Sequence, residues 1–151
     1  MEVVAEAAGA TLKEIHDDLR RIVEGLPAEA LNWAPGPDTN SIAVLVTHLL
    51  GAEHYWLAAA AGRPIARERE AEFQAHADAA ATLLALIEAA DRRNPELLHA
   101  ITPETLAAII ADHHGEQHNG AWCLLHALEH AGQHRGQSAL TRQLWEQARS
   151  S

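Results

Sequence analysis

The sequence predicts an all-α protein folded as a four-helix bundle. Four stretches of the 151-residue chain carry apolar residues at steps of three and four, and prolines or glycines separate them. The sequence contains no internal repeat and no convincing strand pair. Long amphipathic helices bury their apolar stripes best against one another. Residues 1–151 are therefore expected to form one bundle domain.

The first helix is expected over roughly residues 2–25, where Gly25 and Pro27 end it. The next segment, LPAEALNWAPGPDTN, contains three prolines and cannot continue a long helix. Leu31 and Trp33 lie within this segment and are apolar. We therefore expect an ordered loop that these two side chains pin to the core.

The second helix is expected from a cap among residues 39–41 to about Ala61. Gly62 and Pro64 then provide the stop. The charged stretch that follows, RPIARERE, is expected to be a linker leading to EAEF.

The remaining chain is expected to contain two more long helices and one ambiguous region. The third helix should begin near Asp78 and stop before Pro95, with a short helical turn at PELLHA after it. Within residues 102–120, TPETL can open a helix, LAAIIA fits either a helix or a strand, and DHHGEQHNG is predicted to be a loop. The last helix is expected from about Ala121 to Ala148.

Charge and composition argue against several classes of protein. Eleven basic residues against 21 acidic ones give a formal net charge of −10, which repels phosphate backbones and anionic lipids. The single cysteine, Cys123, allows no intrachain disulfide. The opening MEVVAEAAGATLKE lacks the regions of a signal peptide, and the longest apolar run, near LAAAA, is too short to span a bilayer. We expect a cytoplasmic protein without nucleic-acid or membrane partners.

Histidine is the outlier of the composition, with eleven residues, and three of them form a ladder in the last helix. A helical wheel places His126, His130 and His134 in the middle of the buried face, and His48 on the inward stripe of the second helix. An imidazole buried without a partner costs about 1–3 kcal/mol, so these rings need hydrogen bonds or a shared metal ion. A metal ion bridging the two helices satisfies them most economically.

Helical rise limits which histidines can share an ion. His126 and His134 lie about 12 Å apart along a helix, which is too far for two imidazole–metal bonds of about 2.0–2.1 Å. The ligand pair is therefore His126 with His130, or His130 with His134. Cys123 lies roughly 10 Å from His130 along the axis and is expected to be a core residue.

Three stretches resemble the DinB-like superfamily of metal-binding four-helix bundles. They are NSIAVLVTHLLGAEHYWL, REREAEF and WCLLHALEHAGQHRGQSALTRQL. The resemblance implies His48, His130 and His134 as ligands and leaves His126 to packing or to an outer contact. Related thiol-dependent transferases and isomerases carry a Glu at the middle position, where this chain has His130.

The implied three-imidazole site suits a divalent metal ion, Zn²⁺ or Ni²⁺ above others, and leaves a coordination position open. We expect the ion to activate water or a low-molecular-weight thiol in a transferase or hydrolase acting on a small molecule. One alternative is a non-catalytic bundle in which the ion is structural or sensory. Another is a scaffold of hydrogen-bonded histidines without metal. A homodimer is expected from the family, with Trp56 or Trp145 available for an apolar contact.

Several neighbouring residues receive secondary roles. Glu53, Glu129 and Gln137 are close enough in sequence to contact the ligands. Glu72 is expected to be a surface or capping group and Phe73 a core residue. The loop before the last helix contains His113, His114 and His118. These side chains are expected either to be solvated or to form a lid over the site.

Overall fold

In the computed structural model, which describes residues 2–112 and 114–150, four long helices form the body of the protein. The elements in chain order are α1 (Glu2–Val23), α2 (Ala28–Asn32), α3 (Ile42–Ala60), α4 (Arg69–Glu72), α5 (Ala80–His99), α6 (Pro103–Ala107), β1 (Ile109–Ala111), β2 (Gln117–Asn119) and α7 (Gly120–Ser150). The predicted all-α four-helix bundle is therefore confirmed, with α1, α3, α5 and α7 as its long helices.

The central helix of the bundle is α3, which packs against α5 and α7. Ser41 caps it by accepting a hydrogen bond from the Val44 N–H at 3.3 Å. Gly62 lies just past its end with a φ of 70°, a conformation that favours glycine. Within the described residues, α3 is also the one helix long and apolar enough to cross a bilayer by length and composition. However, 78% of that apolar window is buried inside the bundle, as in the core helix of a globular protein.

The proline-rich segment after α1 packs as expected, although part of it is helical. Its middle forms α2, a helix of five residues. Leu31 is fully buried, and the Trp33 ring lies 5.7 Å from the ring of Trp145. Trp145 and Trp56 are both buried within the chain, which contradicts the expectation that either could supply an apolar surface for a partner.

The predicted end of the third helix at Pro95 is wrong, because α5 continues to His99 with this proline in its interior. A proline there removes one helical hydrogen bond and costs roughly 3 kcal/mol. Buried residues lie on both sides of it, Ala90 and Asn94 before it and Leu97 after it. Packing on both sides therefore outweighs the local penalty.

The expectation that no strands pair is also wrong. β1 and β2 form an antiparallel hairpin in which Ile110 pairs with His118. Gln117–Asn119, which had been predicted as loop, is therefore a strand. Each strand has three residues, and only the middle one is partly buried. That length is too short for an alternating apolar pattern to reveal a strand.

A buried polar network joins α1, α3 and α5 on one side of the core. His16 is 1% exposed, and its Nε2 and Nδ1 lie 2.9 Å from Glu53 Oε2 and 2.6 Å from Asp91 Oδ1. The Asn94 amide donates to the other oxygen of Glu53 at 2.7 Å, and Arg20 pairs with Asp91. Because carboxylates only accept, both ring nitrogens of His16 carry protons, and the ring is an imidazolium between two anions.

The pKa values agree with this assignment. Burial lowers the pKa of His16, but hydrogen bonds and charges from Glu53 and Asp91 outweigh it and raise the pKa above its usual value. For Asp91, burial acts upward, and the hydrogen bonds from His16 and Arg20 bring its pKa below its usual range. Both pKa shifts favour the charged forms, the imidazolium of His16 and the carboxylate of Asp91.

We predict that this network makes stability depend on pH in a defined direction. Because the folded-state pKa of His16 is raised, its contribution is complete below about pH 6.5 and is lost as pH rises through the raised value. The Asp91 contribution is present above about pH 3.9 and is lost as pH falls. His16→Gln should lower the free energy of unfolding by about 3 kcal/mol near pH 6, and the difference should shrink in alkaline buffer.

Denaturant titrations from pH 4 to pH 9 check this, with His76→Gln as the matched control because the side chain of His76 is 66% exposed. A difference between wild type and His16→Gln that grows with rising pH would contradict the assignment.

Candidate metal centre

The structure brings together the three histidines that the family resemblance selected. His48 lies on α3, and His130 and His134 lie one turn apart on α7. The ligand atoms of the three rings all lie within 4.8 Å of one another. His48 is buried, and the other two are partly exposed. The arrangement is one that can hold a metal ion between two helices, although binding itself stays a prediction.

The histidine ladder lies at the edge of the buried face of α7, which corrects its predicted position in the middle. Trp122 and Leu140, which flank the ladder on one side, are 39% and 54% exposed. Ala127 and Ala131, on the other side, are fully buried. A helical wheel gives small residues such as these alanines little weight, because it ranks positions by hydrophobicity and alanine is only weakly apolar. The wheel therefore places the centre of the buried face too close to the ladder. The edge position leaves His130 and His134 facing both α3 and the outside of the bundle.

Hydrogen bonds at Nδ1 orient two of the three rings. His48 Nδ1–H donates to Glu72 Oε2 at 2.8 Å, and His134 Nδ1–H donates to the Gln137 amide oxygen at 2.7 Å. A proton on Nδ1 leaves the Nε2 lone pair free to bind a metal. The predicted contact of Gln137 with a ligand is thus present in the structure.

The distance between the two α7 rings fits a shared metal ion. His130 Nε2 and His134 Nε2 lie 3.2 Å apart. Two imidazole nitrogens bound to one tetrahedral ion at about 2.0–2.1 Å lie about 3.3–3.4 Å apart. Among the described residues, the buried Nδ1 of His130 has no hydrogen-bond partner. Burial, with the neighbouring His134 and His48, lowers the pKa of His130 to about 3, so the ring is neutral at physiological pH, as a ligand must be.

Glu72 supports the site, so its prediction as a surface or capping group is wrong. Arg67 binds its carboxylate through two nitrogens, Nε at 2.8 Å from Oε1 and Nη2 at 2.7 Å from Oε2. Burial acts to raise the pKa of Glu72, but the hydrogen bonds from His48 and Arg67 lower it below its usual range. The carboxylate is therefore ionised, and it holds the His48 ring while Arg67 balances its charge.

Gly51 makes room for this carboxylate on the surface of α3. A Cβ atom at Gly51 would lie 2.2 Å from Glu72 Oε1 and 2.8 Å from Glu72 Cδ. Because the carboxylate is held by both His48 and Arg67, it cannot move away without breaking these bonds. A glycine three residues after the ligand in a long buried helix is the sequence signal that could have revealed a side chain crossing α3.

The other predicted contacts fall elsewhere. Glu53 faces His16 and Asn94 in the buried network. The Glu129 carboxylate lies 3.7 Å from Nδ1 of His126, the first histidine of the ladder. Phe73 is only partly buried, and its ring centroid lies 4.7 Å from that of His48, so it borders the site. Cys123 is fully buried, and burial raises the pKa of its thiol, as expected for a core residue.

His126 and the histidines of the hairpin lie outside the group of three proposed ligands. Trp122 is stacked between His118 at 3.7 Å and His126 at 4.5 Å, and the His126 ring lies 5.6 Å from that of His130. His126 thus packs beside the site, as the resemblance implied. His118 lies in β2 and joins this stack, whereas His114 is exposed in the hairpin turn. His113 lies outside the described residues, so the lid hypothesis stays a prediction.

The hairpin contains a second group of side chains with possible ligand atoms, Asp112, Glu116 and His118. Asp112 Oδ1 accepts hydrogen bonds from the backbone N–H groups of His114 and Glu116 at 2.8 and 2.9 Å. These bonds explain the acidic side chain as a stabiliser of the turn.

A four-helix bundle with three converging imidazoles between two helices defines the class of this protein, and comparison with known proteins gives the family. The model of the DinB superfamily matches residues 11–138, so the chain belongs to that superfamily. Comparison with curated proteins gives no significant match.

Solved structures show the same fold at low sequence identity. A conserved protein from Enterococcus faecalis superposes with a TM-score of 0.77 at 18% identity, over 93% of this chain and 96% of that one. A DinB-like protein from Bacillus cereus gives 0.71 at 18% identity, over 95% and 91%. A DinB-like protein from Bacillus subtilis gives 0.69 at 19% identity, over 91% and 90%.

We predict that Gly51→Ala destabilises the protein, although the same change in an unobstructed helix stabilises by up to about 1 kcal/mol. The added Cβ collides with the Glu72 carboxylate, and we expect a loss of about 1–3 kcal/mol in the free energy of unfolding. Denaturant titration of metal-free protein measures the change.

Gly132→Ala is the matched control, because a Cβ on this glycine of α7 meets nothing within 4 Å. The double variant Gly51→Ala/Glu72→Ala should recover stability relative to the two single changes taken separately. Additive effects in this cycle would contradict the contact.

Proposed function

We propose that this protein is a divalent-metal-dependent enzyme in which His48, His130 and His134 hold Zn²⁺ or Ni²⁺ and a small molecule is the substrate. Its reaction is a transfer or hydrolysis that uses a low-molecular-weight thiol or water as the nucleophile. The observation that carries the proposal is the convergence of three imidazoles whose nitrogen atoms lie within 4.8 Å of one another.

The donor set supports catalysis more than a closed structural site. Structural zinc sites have four protein ligands, whereas catalytic sites have three and keep one position open. Among the described residues, the group of His, Cys, Asp and Glu side chains at this position has three members, His48, His130 and His134. When bound, such an ion acts as a Lewis acid and lowers the pKa of a thiol or water at the open position.

The chain's own residues hold the imidazoles in the form that this chemistry needs. Glu72 keeps the proton of His48 on Nδ1, and Gln137 does the same for His134, so both rings present Nε2. Arg67 forms an ion pair with Glu72, so the negative charge of this carboxylate beside the site is compensated. The centre then has three neutral ligands, which preserves the full charge of the ion toward a nucleophile.

A specific observation also favours an alternative function, a structural or sensory ion in a non-catalytic bundle. His48 and the His130/His134 pair lie on different helices, so an ion would crosslink α3 to α7. An ion that binds only the folded state stabilises it according to its concentration and affinity.

We predict that tag-free protein purified without a nickel column binds about one Zn²⁺ per chain. Replacing His48, His130 or His134 singly by Ala should lower the affinity at least about 100-fold, because each removes a ligand. Competition against a chromogenic chelator measures the affinity. His126→Ala is the matched control on the same helix and should bind normally. No stoichiometric metal, or equal damage by His126→Ala, would overturn the proposal.

A second prediction separates the enzyme from the crosslinked bundle. In cobalt-substituted protein, a millimolar thiol should shift the visible absorption bands, because a thiolate enters the open position. If the ion is structural, the spectrum stays unchanged while metal still raises the unfolding temperature. Glutathione and cysteine, with their S-methyl derivatives as controls, are suitable probes.

A further inference from the structure

A cleft of about 620 Å³ lies between α1 and α5, and none of the proposed metal ligands lines it. Ligand sites for small molecules have volumes of about 300–1,000 Å³, mostly apolar walls and a few converging polar groups. Ala5 and Gly9 are small residues on α1 that leave the space open. Leu12, Leu98 and Ile101 are larger and complete its apolar walls.

The inner end of the cleft is polar, but the two ring N–H groups of His16 there are already occupied. Both ring nitrogens of His16 face carboxylates, Nε2 toward Glu53 and Nδ1 toward Asp91. The Asn94 amide donates to Glu53 at 2.7 Å. The imidazolium of His16 therefore has no proton left to donate to the negative charge of a ligand.

Two carboxylates lie at the mouth of the cleft. Glu2 and Glu6 line it from successive turns of α1, and neither forms an ion pair with another residue of the described chain. The basic side chains nearby are already paired, Lys13 with Asp17 and Arg20 with Asp91. His99, exposed at the end of α5, is the remaining ionisable group of the lining.

From this combination we infer that the α1/α5 cleft is a binding site for a small amphiphilic organic cation, a primary amine with an apolar body. The apolar body lies against Leu12, Leu98 and Ile101, and the ammonium group lies at Glu2 and Glu6. An anion of the same shape meets two carboxylates at the mouth, and both ring protons of His16 inside are already taken by carboxylates. This site is separate from the metal centre and does not depend on the proposed function.

A matched set of ligands tests the inference on the full chain. The probes are 4-phenylbutylamine, 4-phenylbutanol and 4-phenylbutanoate, which share the apolar body and differ in the terminal group and its charge. We expect the amine to bind with a Kd on the order of 0.1–1 mM and at least about threefold more tightly than the alcohol, with the carboxylate weakest. Added salt should weaken the amine and leave the alcohol unchanged. Shifts of the Leu12, Leu98 and Ile101 methyl signals in NMR titrations give both the Kd and the location.

Variants on α1 separate the apolar and the charged contributions. Ala5→Phe should fill the cleft and remove binding of the amine and the alcohol, whereas Val3→Phe, at a position that is 76% exposed and outside the lining, should not. The double variant Glu2→Gln/Glu6→Gln should reduce amine affinity to that of the alcohol, while Glu14→Gln changes nothing.

Three outcomes would overturn the inference: no saturable shift of these methyl signals, equal binding of the amine and the carboxylate, or normal binding to Ala5→Phe. His48→Ala should bind the amine like wild type, so a failure of the metal proposal leaves this test intact.

Discussion

The close packing of α3 against α7 is the contact on which the proposed centre depends. α3 packs along α7, and Ala127 and Ala131 beside the ladder are fully buried. As a result, the His48 ring lies 5.0 Å from that of His130 and 4.9 Å from that of His134. Any change that moves the two helices apart would break this arrangement. The histidines would then remain on their helices, but they would no longer share a site.

The same helix supports two polar systems that face different neighbours. His48 and Glu53 are five residues apart on α3, which turns their side chains about 140° from each other. One meets α7 and Glu72, and the other meets His16 of α1 and Asn94 of α5. His48 and Glu53 therefore both have partners, which is the condition for placing a polar side chain in an apolar core. This arrangement explains why nearly all sides of α3 are buried.

Patterns confined to one helix could be predicted, and contacts between distant segments could not. Periodicity indicated the four long helices, and helical rise excluded one ion shared by all three ladder histidines. Glu72 was misjudged because it reaches His48 only after the segment before α5 folds back over α3. Pro95 was misjudged for a related reason, since its local penalty is visible in the sequence and the packing of Asn94 and Leu97 is not. The three-residue strands were too short to leave a pattern.

By itself, the sequence determined the helical class, the positions of the four long helices and the family motif that singles out His48, His130 and His134. These properties are local, because a helix has a fixed rise and turn per residue. Only the tertiary structure decided that the ladder lies at the edge of its helix, that Glu72 and Arg67 hold His48, and that α1 and α5 enclose a cleft with a charged mouth. These features depend on which small residues let two segments approach, and no periodic pattern records the distance between helices.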